Sequence, residues 1–104
     1  MIRHIALFKL KPGFTWDSTE VREGEALQRR MGEQIAELRA WHCGRNISDR
    51  PQAYDYVVLG LLRDEEDLAR YRAHPFHRRT AACWSRFSER VIADVLEEPT
   101  HPIT

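Results

Sequence analysis

The sequence has no excess of charge of either sign: sixteen basic residues balance sixteen acidic ones, and the isoelectric point lies near 7.0. No global positive field is available to hold a phosphate backbone, so nucleic acid is not an expected partner. Long apolar runs are also missing. The longest stretches, such as residues 57–62, fall far short of the roughly 20 residues that a membrane-spanning helix needs, and no membrane association is expected. Residues 1–11 alternate apolar and polar side chains, whereas a secretory leader has a basic patch, an apolar run and a small-residue cleavage site, which makes the cytoplasm the expected compartment. Cysteine is scarce. Cys43 and Cys83 lack any close spacing and read as free thiols rather than a disulfide or half a zinc site. There is no glycine-rich phosphate loop, no nucleophile elbow and no cysteine beside a base, so no cofactor is expected. His74 and His77 are three apart but lack further ligands nearby, and His42 and His101 lie in other segments, so no metal is expected.

What is present is an ordinary globular composition, with 42% hydrophobic and 10% aromatic residues in 104. That length suits one domain with a modest core, one that association can supplement.

The hydrophobic pattern orders the chain. Ile2, His4, Ala6, Phe8 and Leu10 alternate with Arg3, Ile5, Leu7 and Lys9, and both sets are largely apolar, which predicts a strand buried on both faces. After Lys11-Pro12-Gly13, Thr15 or Ser18 caps a predicted amphipathic helix with apolar positions Val21, Leu27, Met31, Ile35 and Leu38. Its other face, with Arg22, Glu23, Arg29, Arg30, Glu33 and Glu37, reads as solvated, and Gly24 and Gly32 weaken it locally. Residues 41–47 and 54–62 form a predicted hairpin, the second arm again apolar on both faces. Asp64 caps a helix that runs to about Ala73, where Pro75 stops it and starts the next, with Phe76, Thr80, Cys83, Trp84 and Phe87 at helical spacing. Residues 91–96 form the last strand and the tail 98–104 is expected to be loose. This order is that of an α+β, ferredoxin-like βαββαβ fold with a four-stranded antiparallel sheet, occupying residues 1–97. Helices on one side leave the other apolar face in need of cover, and a second copy of the sheet supplies it, giving a homodimer.

Three segments carry a resemblance: Ile2-Arg3-His4-Ile5-Ala6-Leu7-Phe8-Lys9-Leu10-Lys11-Pro12-Gly13, Gly44-Arg45-Asn46-Ile47 before Tyr54-Asp55-Tyr56, and Tyr71-Arg72-Ala73-His74-Pro75-Phe76-His77. In these the chain resembles the stress-responsive dimeric α/β-barrel (Dabb) family, which includes a plant polyketide (olivetolic acid) cyclase. The resemblance implies a dimeric barrel with His77 as general base on a polyketide, Asp94 as its assisting carboxylate, Tyr71 holding the substrate carbonyl and His4 as a further pocket histidine. Tyr56 stands where the cyclase has a third-strand histidine and Gln28 where it has a first-helix tyrosine, and aromatic lining is missing near Gly24 and Glu25, so the same substrate is not expected.

The residues themselves support part of this. His77 follows Pro75 by two positions, in a helix first turn whose dipole disfavours the protonated ring, and a neutral imidazole can act as a base. If Asp94 reaches its other ring nitrogen, the carboxylate fixes the tautomer and stabilises the imidazolium formed on proton abstraction. His4, on a strand face with Ala6 and Phe8, reads more readily as a hydrogen-bonded core residue than as a ligand. His74 reads as a cap. The expected cavity, lined by Ala6, Phe8, Tyr56, Val58, Trp84 and Phe87, takes a small hydrophobic or phenolic ligand, although these aromatics also read as core. The leading expectation is a cofactor-free cyclase, isomerase or lyase acting on a small carbonyl compound. A non-catalytic stress-responsive or ligand-binding protein and a cofactor-free monooxygenase are the alternatives.

Overall fold

Alternating side-chain direction over nine residues makes Ile2–Leu10 the first strand, β1, in a computed structural model that describes residues 1–97; the tail lies outside the described residues. Gly13 turns the chain after β1 with φ +91°, a conformation that side-chain-bearing residues rarely adopt. Helix α1 (Thr19–Gln34) follows. Ser18 is its N-cap by position, but the Ser18 hydroxyl accepts from the Thr15 N–H and caps the preceding turn instead. The expected helix continues to Leu38, yet α1 ends at Gln34. Ile35 is already extended and the Arg39 N–H donates to the Leu61 carbonyl, so the chain is joining the sheet. Ile35 and Leu38 are both buried, which is why they continue the apolar pattern beyond the helix.

Strand β2 (Ala40–Arg45) pairs antiparallel with β3 (Tyr56–Leu62), and both arms are shorter than predicted because pairing stops at Arg45 and Tyr56. The intervening loop is tied to the sheet by Asp55, whose N–H donates to the Phe8 carbonyl and whose carboxylate accepts from the Leu10 N–H. Helix α2 (Glu65–Ala73) is capped by the Asp64 carboxylate on the Asp67 N–H, as expected. Pro75 occupies the first turn of α3 (Pro75–Phe87), and His74 Nδ1 accepts from the Phe76 N–H, the capping role read from the sequence. Strand β4 (Ser88–Leu96) starts three residues before the predicted one. Ser88, Glu89 and Arg90 pair with Leu10, Lys9 and Phe8, and their polarity conceals a strand start that the neighbouring β1 imposes.

The sheet order is β2-β3-β1-β4, with every pair antiparallel, so the ferredoxin-like βαββαβ arrangement is present with its second helix broken by Pro75. All helices pack on one face, above Ala6, Phe8, Tyr56 and Val58. Gly24 lets α1 approach α3 there: a Cβ at this position meets Phe87 Cζ at 2.7 Å and Trp84 Nε1 at 2.8 Å. In return Trp84 Nε1–H donates to the Gly24 carbonyl at 2.9 Å. Glycine at this point sets the helix spacing and does more than weaken α1.

The opposite face carries Ile5, Leu7, Val57, Leu59, Val91 and Val95, as the register with β1 dictates. No helix covers it. Leu7 is 36% exposed, where β1 was expected to be buried on both faces, and Val91 and Val95 on β4 are 48% and 44% exposed. The apolar pattern is present, but no helix among the described residues covers it.

Candidate functional site

His4 faces the helices because it shares its side of β1 with Ala6 and Phe8. Its antiparallel partner on β4 is Asp94. Directly opposed residues of adjacent strands bring their side chains within reach of one another, and here His4 Nδ1 lies 2.7 Å from Asp94 Oδ1. A carboxylate only accepts, so Nδ1 carries the proton and donates. The His4 Nε2 then has no hydrogen-bond partner among the described residues and is left to the cavity that His4 lines. Asp94 is therefore hydrogen-bonded to His4, where the sequence reading set it against His77.

His77, in the first turn of α3, donates instead from Nδ1 to the Arg72 carbonyl at 3.1 Å, which leaves Nε2 as its lone-pair nitrogen. Burial pushes the pKa of His77 down to about 4, and the neighbouring His4, Arg90 and Arg72 side chains add to that; the hydrogen bond to the Arg72 carbonyl opposes it. His77 is thus a neutral imidazole at pH 7, as read from the sequence, with burial as the main cause.

Tyr71, on α2, lies between the two histidines, with ring centroids 5.2 Å from His4 and 4.4 Å from His77. Burial raises its pKa, the Asp94 charge raises it further, and the Arg90 guanidinium works the other way. Its hydroxyl stays protonated and has no partner among the described residues, so it is available as a donor.

These groups line one cavity of about 300 Å³ between the sheet and the helices, beside β4. Its apolar wall includes Ala6, Phe8, Val58, Met31 and Ile92. Of the expected lining residues, Ala6, Phe8 and Val58 are there, but Tyr56, Trp84 and Phe87 are not. Thr80 and Ala81 line the cavity, whereas Trp84 and Phe87 lie one and two turns further along α3, packed with Tyr56 and Phe8 in the core. Sequence reading missed Arg72 and Arg90, which look like solvated charges, and treated Gln28 only as a departure from a family pattern. Arg90 had a usable signal, since Arg90, Ile92 and Asp94 alternate on one face once β4 is extended backwards. Gln28 is 3% exposed and its Oε1 has no hydrogen-bond partner among the described residues. Among the described residues no three His, Cys, Asp or Glu side chains converge as metal ligands, and no helix is long and apolar enough to cross a membrane.

The depressed pKa of His77 has a stability consequence. Above pH 6.5 the ring is neutral in the folded and unfolded chain alike; between 6.5 and about 4 the unfolded chain takes up a proton that the folded one refuses, so stability falls across that window. Thermal melts of the parent and of His77→Gln at pH 7.5 and pH 5 check this. The variant is expected to lose less of its melting temperature on acidification, and equal losses would place the acid sensitivity elsewhere.

Comparison with known proteins agrees with this architecture. The family model described as Stress Responsive A/B Barrel Domain matches residues 2–96. An uncharacterized protein of Streptomyces coelicolor is 46% identical over 94 residues, covering 90% of this chain and 97% of its own. A dimeric ferredoxin-like protein of unknown function from Thermobifida fusca superimposes with a TM-score of 0.80 at 28% identity, covering 90% of this chain and 88% of its own. A hydroxynitrile lyase from Passiflora edulis also reaches a TM-score of 0.80, at 15% identity over 97% of this chain and 96% of its own, and shares the fold.

Proposed function

Because the chain belongs to the stress responsive A/B barrel domain family, we propose that it is a homodimeric, cofactor-free enzyme of the cyclase, isomerase or lyase kind that moves a proton on a small hydrophobic carbonyl compound. The observation that carries this reading is the His4–Asp94 pair at 2.7 Å beside the free Tyr71 hydroxyl in one cavity.

His4 Nε2 takes the proton from the carbon next to the carbonyl. The C–H electron pair becomes a carbon–carbon double bond, and the carbonyl π pair moves onto oxygen, where the Tyr71 hydroxyl donates a hydrogen bond. Asp94 orients the imidazole and stabilises the imidazolium, which then returns the proton to the product. The resemblance assigns the base to His77. The assignment moves to His4 for two reasons: a ring whose conjugate acid has a pKa of about 4 is a weak base at neutral pH, and the carboxylate that stabilises an imidazolium sits on His4. His77, held neutral with its Nε2 unprotonated, accepts a hydrogen bond from a substrate hydroxyl or enol.

The homodimer reading rests on the uncovered apolar face of the sheet and on the relative from Thermobifida fusca, which is described as dimeric.

Deuterium uptake into phenylacetone and phenylpyruvate, followed by NMR, tests the chemistry. The parent is expected to accelerate uptake at the carbon beside the carbonyl of at least one of them, and Asp94→Asn to lose on the order of 10²–10⁴ of that rate while melting as a folded protein. Saturable binding with no exchange would make this a small-ligand-binding protein instead.

A further inference from the structure

We propose that the substrate of this cavity is itself an acid: a small carbonyl compound with a carboxylate that Arg72 and Arg90 hold at the cavity mouth while its apolar body lies against Ala6, Phe8 and Val58. The proposal rests on the proton-transfer reading of the same site and adds to it the charge of the substrate.

The charges around the cavity are unbalanced. Two guanidiniums, those of Arg72 and Arg90, line it together with a single carboxylate, that of Asp94, which is taken up by His4. Arg72 and Arg90 form no ion pair with any carboxylate among the described residues, so neither charge is neutralised by a protein partner there. Both side chains are exposed at the surface end of the cavity. Their fields reach inward: the charge of Arg90 is felt at both Tyr71 and His77, and that of Arg72 at His77. The backbone of Arg72 is tied to the site, since its carbonyl holds His77 Nδ1–H. A guanidinium pair is matched to a carboxylate by shape as well as charge, through parallel N–H donors.

The buried Gln28 amide supplies the second half of the argument. It lines the same cavity, is 3% exposed, and its oxygen has no partner among the described residues. A buried polar group in this state is costly unless something bonds it. Either end of the amide serves a ligand that carries a hydroxyl, enol or carbonyl away from its carboxylate. An apolar body with an acidic end and a second polar group satisfies the apolar wall, the two arginines and Gln28 at once. With the carboxylate on Arg72 and Arg90, one end of the substrate is fixed, which favours a single orientation of its carbonyl relative to Tyr71 and of its C–H relative to His4.

Calorimetric titration with phenylpyruvate and with its methyl ester tests this, because the two differ in charge and share the carbonyl and ring. The parent is expected to bind the acid about tenfold tighter than the ester, the difference that one charge-assisted hydrogen bond makes. Arg72→Gln and Arg90→Gln are each expected to narrow the gap, and the double variant to bring acid and ester within about twofold of one another with the ester unchanged. Arg79→Gln, on the outer groove between α1 and α3, leaves the gap as it is. Equal affinity of acid and ester in the parent overturns the acid proposal and leaves the proton-transfer reading standing. If neither compound binds, both fall.

Discussion

Leu59→Asp will turn the protein into a folded monomer. Leu59 lies at the middle of the open sheet face, opposite Ile5 on β1 and His42 on β2, and its side chain points away from the helices. Within one protomer it is half-buried with its open side toward water, so a carboxylate there still reaches solvent. In a dimer that packs the two open faces together, each copy buries an unpaired charge, and a two-fold axis brings the two carboxylates close. Desolvation of an uncompensated ion costs on the order of several kcal/mol, incurred twice, which removes the dimer at micromolar concentration. Size-exclusion chromatography with light scattering is expected to give twice 12.3 kDa for the parent and 12.3 kDa for the variant, with the circular dichroism of both alike. A monomeric parent contradicts the homodimer.

Trp84→Ala will have the largest effect on the protomer itself. Trp84 is fully buried, with ring centroids 4.7 Å from Phe8, 4.8 Å from Tyr56 and 4.8 Å from Phe87, and its indole N–H is bonded to the Gly24 carbonyl. Truncation leaves a cavity where α1, α3 and the sheet meet and removes the indole hydrogen bond that ties α3 to α1. Large aromatic-to-alanine changes in cores cost about 3–5 kcal/mol. For a domain of this size that is a fall in Tm on the order of 20 °C, measurable by thermal melts of parent and variant at one protein concentration. A fall of only a few degrees would mean that α1 closes onto the sheet once the indole is gone.

The strands β1 and β3 and the caps Asp64 and His74 were legible because each depends on residues close in sequence: period-two alternation in one case, a side chain two or three positions from its backbone partner in the other. The end of α1 was not, because Ile35 and Leu38 are core residues whether or not the helix continues. The start of β4 was hidden by Ser88, Glu89 and Arg90, whose strand conformation comes from pairing with β1.

The site divides in the same way. His4, Tyr71, His77 and Asp94 were nominated together through the family resemblance, and all four line one cavity. Which histidine holds the aspartate could not be read in that way, since that follows from the single register that sets His4 opposite Asp94. Tyr56, Trp84 and Phe87 share a helical or strand face with true lining residues, and only position along β3 or α3 separates core from cavity. Arg72 and Arg90 are ordinary exposed charges until the space between them is known.

The account turns on the division of labour between the two histidines, and comparing deuterium exchange in His4→Gln and His77→Gln at pH 7, with the phenylpyruvate that serves as the acid probe, tests it most directly. With His4 as the base, His4→Gln loses at least about 10²-fold in rate and His77→Gln less than about tenfold. If His77→Gln abolishes exchange and His4→Gln retains it, the base is His77 and the role given to the His4–Asp94 pair is wrong.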